Sequence, residues 1–331
     1  MLIGKPPEIP SSSITPKAQY LNRHLNRRSF LRRAAGTAAA AGAAALGLDR
    51  AAEIVSPSLG AHAGTKLETI KSPLTTTGEE LTSLNDLTHY NNYYEFGVQK
   101  SEPAQNAHVL PTRPWTIKVE GLVKKPLTFD IDTLLKLHPL EDRVYRHRCV
   151  EGWSMVIPWV GYSLSEFINR CEPLSKAKFV EFHSYYNRDL EPWSTQSQIY
   201  WPYTEGLRMD EAMNPLALFT FGLYGETLPN QNGAPVRVVL PWKYGFKSAK
   251  SIVAVKFTDH EPVTTWNELA PMEYGFYSNV NPNVDHPRWS QKTERRIGQP
   301  LFSQRRATLM FNGYQDQVAS LYNGMNLKKD F

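Results

Sequence analysis

The sequence predicts a mixed, strand-rich α+β body behind an N-terminal leader. Three observations predict it. Short apolar runs of period 2 outnumber helical patterns, and they do not alternate with helices as a doubly wound parallel sheet requires. In addition, 24 prolines outnumber 20 glycines in a chain with 14 Phe, 8 Trp and 16 Tyr, which suits a loop-rich fold with large aromatic anchors better than a helical bundle. At 331 residues, 41% hydrophobic and 21% charged, the chain has material for a sizeable core, and its composition excludes wholesale disorder.

Residues 1–63 read as an export address. Arg27 and Arg28 precede Ser29, Phe30, Leu31 and Arg32, and an uncharged, Ala-rich stretch runs from Ala34 to Leu48. That order resembles a twin-arginine signal peptide. The stretch is interrupted by Gly36, Gly42 and Gly47 and falls short of the roughly 20 apolar residues of a membrane span. Ala61, His62 and Ala63 supply a small-residue cleavage pattern, so the leader is expected to be removed. The twin-arginine route carries folded proteins, commonly with a cofactor already inserted, and this makes a periplasmic enzyme with a prebuilt site the working expectation.

The body follows in order. Residues 64–90 are polar and Thr-rich, an extended lead-in, and residues 91–331 form the body proper, as one large domain or two intimate ones. Trp115 to Glu120 alternates as a strand, Asp130 to Leu137 is a short helix stopped by Pro139, and Val144 to Val150 is a strand. Ser163, Leu164, Ser165 and Glu166 make a capping box that opens a helix to Cys171, which Pro173 ends. Lys178 to His183, Leu216 to Phe221, Val236 to Leu240 and Ser251 to Thr258 read as strands, with at most a short helix at Met209 to Met213. The segment from Ala307 to Phe331 reads as a strand, an Asn312-Gly313 turn and a terminal strand.

Charge and cysteine usage exclude several functions. The first 63 residues carry eight of the 37 Lys+Arg and three of the 32 Asp+Glu, leaving 29 of each in the body. Basicity belongs to the leader, so no nucleic-acid partner is signalled. Two cysteines, Cys149 and Cys171, fit no CxxC, zinc-ribbon, iron-sulfur or c-haem pattern. There is no GxGxxG after a strand and no GxxxxGK[ST].

Three constellations carry chemistry. Cys149 ends a strand whose alternation puts Tyr145, His147 and Cys149 on one face and Arg146 and Arg148 on the other. The flanking cations are expected to favour the thiolate, which serves as a nucleophile or a soft-metal ligand. Cys171, on an amphipathic helix, reads as packing. The second runs from Asn230 to Arg237 and from Trp242 to Lys250, where an Asn-Gly turn and Arg237, Lys243, Lys247 and Lys250 are placed to gather around a phosphate. A hairpin with solvated lysines is the bland alternative. The third, Asn91 to Gly97, is polar and aromatic in equal part, as suits a flat heterocycle or a surface turn.

Taken together, these strings resemble the family of molybdenum-containing catalytic subunits of the periplasmic protein-methionine-sulfoxide reductase system, within the sulfite-oxidase-fold superfamily. The resemblance covers nearly all of residues 88–331 and rests on Asn91 to Gly97, Arg148 to Met155, Asn230 to Lys250 and Tyr274 to Gln291. It implies a molybdenum-molybdopterin cofactor, one pyranopterin without a nucleotide, with Cys149 as the protein ligand to the metal. Cofactor contacts are implied for Asn91, Tyr94, Glu95, Ser184, Asn232, Arg237, Ser248, Ala249 and Lys250. Glu151 and Tyr274 match residues that line the family's metal pocket and become candidates for substrate positioning or proton delivery. Ser184 stands where the family has Thr, Ser248 and Ala249 where it has Gly and Ile, and His147 where it has an apolar residue.

The resemblance further implies reduction of methionine sulfoxide, in oxidised periplasmic proteins and as the free amino acid. Electrons are implied to come from a haem-b membrane subunit, MsrQ, which makes the mature chain peripheral to the inner membrane and otherwise monomeric. The alternatives are a sulfite-oxidase-like or general S-/N-oxide oxidoreductase on small molecules, a cysteine-nucleophile hydrolase, and a non-enzymatic, aromatic-rich binding module.

Overall fold

A computed structural model of the protein describes residues 64–76, 78–300 and 303–331. The leader and its cleavage pattern lie outside the described residues. Thirteen strands occur among those described. The first seven are β1 (Ile70–Lys71), β2 (Thr116–Gly121), β3 (Leu127–Asp130), β4 (Glu141–Arg148), β5 (Trp153–Ser163), β6 (Phe179–Ser184) and β7 (Thr204–Arg208). They are followed by β8 (Leu218–Leu223), β9 (Glu226–Thr227), β10 (Arg237–Val239), β11 (Ile252–Thr258), β12 (Thr293–Arg296) and β13 (Arg306–Ala307). The strand-rich α+β expectation holds, and helices are short and peripheral.

Two sheets are formed. The smaller runs β3-β2-β11-β6-β7, and the larger runs β1-β4-β5-β12-β13, with β8 also pairing with β5 and carrying β9 and β10. Strand β5 is the spine of the larger sheet. It pairs antiparallel with β4 from Ser154 to Gly161, with β8 at its C-terminal end and in parallel with β12 at its start. Its burial is nearly continuous, so the alternation that marks a half-exposed strand is missing from its sequence.

Pro158 sits inside β5 without breaking it, because this register asks no donor of it. Val156, two residues earlier on the same side, exchanges its backbone bonds with the Thr82 segment rather than with β4. The Pro158 carbonyl accepts from the Tyr224 backbone N–H at 2.9 Å, where β8 has already turned away.

Several sequence expectations are corrected. The lead-in is extended only to Thr82. The helix Leu84–His89 then starts on Ser83, whose hydroxyl accepts from the Asp86 N–H at 3.1 Å. Helix Leu164–Cys171 forms as expected, but Ser163 makes no side-chain cap; its hydroxyl instead accepts from Arg143 at 2.8 Å and donates to the Pro215 carbonyl at 3.1 Å. The expected terminal strand is the helix Gln315–Val318 and a following single turn. Phe311, Asn312 and Gly313 all adopt positive φ there, which turns the chain back and buries Phe311 against Tyr322, ring centroids 5.3 Å apart.

Candidate active site

The end of β4 and the start of β5 build the floor of a cleft. Between them, Cys149, Val150, Glu151 and Gly152 make a tight turn. The Cys149 N–H donates to the Trp153 carbonyl at 2.9 Å, and the Gly152 N–H donates back to the Cys149 carbonyl at 3.1 Å. Gly152 has φ +81°, a conformation costly for a side-chain-bearing residue. From behind, Trp289 and Gln291 both donate to the Val150 carbonyl, at 2.7 and 2.8 Å.

The arginines beside the thiol are engaged elsewhere. Arg146 pairs with Glu79, and the fully buried Arg148 donates to Glu294 and Gln291 at 3.0 and 2.9 Å and to the Cys149 carbonyl. They do not deliver the expected thiolate. Burial, followed by the Glu151 charge, pushes the Cys149 thiol up to about 12 against the opposing pull of Lys100 and Arg148. A thiolate at this position therefore requires a cation bound to the sulfur itself. His147 is held neutral, its pKa pushed down to about 3 by burial and then by the charges of Arg237, Lys250 and Arg148.

Over this turn lies a cleft whose empty space, with the open solvent at its mouth included, is about 1020 Å3. It brings together ten of the twelve residues that the sequence singled out: Cys149, Glu151 and Tyr274 with Asn91, Tyr94, Glu95, Ser184, Asn232, Arg237 and Lys250. Ser248 and Ala249 are buried but do not line it. The Ser248 hydroxyl accepts from the Leu240 N–H at 3.2 Å, and the Ala249 carbonyl accepts from the Val238 N–H at 3.0 Å, so both brace the strand that carries Arg237.

The four basic residues of the second constellation separate into two pairs. Lys243 and Lys247 point away from the cleft into fully buried ion pairs, at 2.6 Å to Glu211 and 2.5 Å to Glu205. They are neither phosphate ligands nor solvated lysines. Arg237 and Lys250 line the cleft, with Arg237 over the Trp159 ring at 4.9 Å and Lys250 over the Tyr93 ring at 5.2 Å. Burial pushes Arg237 down to about 10. Lys250 is lowered by burial and by Arg237, and Glu95 is raised by burial against the pull of Lys250, so the cleft favours an added anion.

Four buried polar atoms on the cleft walls, Asn91 Oδ1, Asn232 Oδ1, Ser184 Oγ and Trp159 Nε1, have no hydrogen-bond partner among the described residues. Unpaired polar atoms are costly inside a protein. Their gathering beside two buried cations fits a polar, phosphate-bearing heterocycle. Among the described residues, no three His, Cys, Asp or Glu come together as a metal-binding group. The donor set is one soft sulfur, as a metal that brings its own sulfur ligands needs.

At the mouth, Glu151 is clasped by Asn92 and Trp153, which lie in strings that the sequence reading marked, and by Lys100, which it did not single out. Its carboxylate accepts from Asn92 Nδ2 at 3.0 Å and Trp153 Nε1 at 2.8 Å, and it pairs with Lys100 at 2.9 Å. Lys100 also donates to Asn92 Oδ1 at 2.5 Å. Burial alone would raise the Glu151 pKa, but Lys100, Asn92 and Trp153 together hold it below the usual carboxylate range. Opposite them, Tyr94, Trp266 and Tyr274 form an aromatic wall, with centroids 5.4 and 4.8 Å apart, and Arg288 donates to the Tyr274 hydroxyl at 3.4 Å.

A cleft that fits an anionic heterocycle, with a single sulfur at its floor, has what a molybdopterin-binding oxidoreductase needs. Accordingly, residues 104–266 match the family described as oxidoreductase molybdopterin binding domain. The chain is 58% identical, over 98% of its length and 96% of the relative's, to the protein-methionine-sulfoxide reductase catalytic subunit MsrP of Burkholderia mallei. Identity is 54% to the MsrP of Ralstonia nicotianae (98% and 96% covered) and 48% to that of Pseudomonas syringae pv. tomato (97% and 96%). Among solved structures, the sulfane dehydrogenase SoxCD from Paracoccus pantotrophus aligns with TM-score 0.40 at 17% identity, over 64% of this chain and 56% of that one. The chain belongs to the MsrP family of molybdopterin-dependent catalytic subunits. It is thus an enzyme, and neither the binding module nor the thiol hydrolase describes it.

Proposed function

We propose that this chain reduces methionine sulfoxide to methionine, in oxidised periplasmic proteins and as the free amino acid. In this reading it is exported by the twin-arginine route and takes electrons from a haem-b membrane subunit, MsrQ. Among the described residues, no helix is long and apolar enough to cross a membrane. The observation that carries the reading is the cation-rich cleft with its unpartnered polar atoms, ending on Cys149, in a chain so close to MsrP relatives.

Arg237 and Lys250 would neutralise the phosphate, while Asn91, Tyr94, Glu95, Ser184 and Asn232 would hold the pterin and Cys149 the molybdenum. Ser248 and Ala249 would support this set through the backbone. When bound, the cofactor would supply the two-electron redox chemistry of oxygen-atom transfer. The net change is methionine sulfoxide plus two electrons and two protons giving methionine and water.

The chain's own groups do the rest. Tyr94, Trp266 and Tyr274 shield the cleft from water and give the substrate sulfur an aromatic surface, a favourable contact for a thioether. Burial keeps Tyr274 a phenol despite Arg288. Because its oxygen accepts from Arg288, its own proton is free to bind the sulfoxide oxygen. Glu151, fixed and kept ionised by Lys100, Asn92 and Trp153, positions the substrate at the mouth. Replacing Cys149 with Ser tests the reading: loss of molybdenum and of sulfoxide reduction supports it, and full activity sinks it. Rates on oxidised protein, free methionine sulfoxide, trimethylamine N-oxide and sulfite separate it from a small-molecule oxidoreductase.

A further inference from the structure

We infer that the basic surface over the Cys149 turn is the docking face for an acidic surface of the electron-donating subunit. This rests on the reading that electrons reach the chain from a partner. Between residues 292 and 306 the sequence carries five basic side chains and one acidic, within a body whose 29 basic and 29 acidic side chains balance overall. That acid, Glu294, is buried and taken by Arg148 at 3.0 Å, so it offsets nothing at the surface. Arg296 and Arg306 converge with Arg146 on the single carboxylate of Glu79, leaving surplus positive charge. Lys292, Arg295 and Arg305 have no carboxylate within ion-pair distance among the described residues.

The second observation is placement. Arg305 donates to the Thr293 carbonyl at 2.9 Å and to the Gly152 carbonyl at 3.2 Å. The Arg295 backbone N–H donates to the same Gly152 carbonyl at 2.9 Å, and Gly152 in turn bonds the Cys149 carbonyl. The exposed guanidinium of Arg305 is thus two hydrogen bonds and one peptide unit from the residue that would carry the metal. These bonds fix the side chain, and a preorganised guanidinium suits planar carboxylates. Opposed charge at such a site raises encounter rates and sets orientation.

Edge protection accounts for part of the pattern, because β13 is an outer strand and charged residues deter edge-to-edge pairing. It does not account for the bonds to Gly152. An anionic lipid surface would also attract the patch, but it needs neither fixed guanidinium groups nor proximity to Cys149.

The test uses the cofactor-loaded mature enzyme and a Lys292→Glu, Arg306→Gln variant, both exposed positions that do not touch the Cys149 turn. Co-sedimentation and sulfoxide reduction are measured with membrane vesicles carrying the donor subunit, at low and high salt. Anionic phospholipid vesicles without the donor and turnover driven by a reduced viologen dye are the controls. The variant should lose about tenfold in both vesicle affinity and donor-driven rate at low salt, wild type should weaken similarly on adding salt, and dye-driven kcat/KM should not change.

Unchanged donor-driven rate and salt dependence in the variant would overturn the docking face alone. So would equal loss with the dye, or equally tight binding of wild type to donor-free lipid vesicles. Wild type that turns over with dye but never with donor vesicles would overturn the donor reading, and this one with it.

Discussion

Replacing Lys243 with Met should destabilise the fold without depriving the cleft of its cofactor, and replacing Lys250 with Met should do the reverse. The two lysines lie seven positions apart, in one basic string. Lys243 is buried, with its ammonium bonded to Glu211 Oε1 at 2.6 Å, the Tyr277 carbonyl at 2.7 Å and Asn279 Oδ1 at 3.1 Å. Glu211 also accepts from the Tyr322 hydroxyl at 2.6 Å, so the loss would strand a carboxylate inside a finished network. Removing one partner of such a pair costs about 3–5 kcal/mol. At roughly 2–4 °C per kcal/mol for a domain of this size, the melting temperature should fall by on the order of 10 °C. Lys250 instead lines the cleft opposite Glu95, which is already biased toward its neutral form, so its loss should leave the cofactor-free melting temperature nearly unchanged and cut molybdenum content sharply. The assay is thermal unfolding of cofactor-free mature protein beside metal analysis of loaded preparations. Adding Glu211→Gln to Lys243→Met should recover part of the lost stability. A Lys243→Met protein that melts like wild type but holds no molybdenum would refute the division of labour.

Three further outcomes follow from the geometry. Tyr274→Phe should lower kcat by about 10²-fold, the lower end of general acid catalysis, at unchanged molybdenum content, as steady-state kinetics with metal analysis would show. Gly161→Ala should destabilise severely, because a Cβ there would overlap the Phe219 carbonyl on the paired strand; thermal denaturation measures it. Glu79 is raised by burial but lowered further by Arg146, Arg296 and Arg306, so its folded pKa lies below the ordinary 4.5. Its stabilising contribution is therefore complete above that value and is lost as pH falls through the depressed one. Melting temperatures measured across the acid range should decline less steeply for Glu79→Gln than for wild type.

Strands β2 and β6 were legible because they alternate between a buried and a more exposed face, and the strand leading to Cys149 was legible from its own run; the order of the smaller sheet was not, because β3 and β7 gave no signal. Strand β5 was not legible. It is buried on both faces, lacks period 2 and contains Pro158, which only the register with Thr82 and Tyr224 makes harmless. The terminal segment misled because its aromatic residues pack from turns and a short helix. In the cleft, the strings around Asn91, Cys149 and Asn232 marked its walls. Composition cannot assign four cations of one string to two environments, since that depends on Glu205 and Glu211 arriving from β7 and the short helix after it. Asn92 stood in a marked string without a role, and Lys100 carried no signal of its own. A lysine eight residues after an asparagine becomes meaningful only when the loop closes, the Asn91 N–H bonding the Lys100 carbonyl at 2.9 Å, and brings both to Glu151.

The central claim is that this cleft holds a molybdenum-bearing pterin through Cys149 and the Arg237-Lys250 pair. Molybdenum and pterin content of the purified mature protein, in wild type, Cys149→Ser and Arg237→Ala, tests it most directly. The account predicts near-stoichiometric metal and pterin in wild type, loss of metal in Cys149→Ser, and loss of both in Arg237→Ala. Wild-type protein from a molybdenum-competent host, correctly folded yet free of metal and pterin, would contradict it.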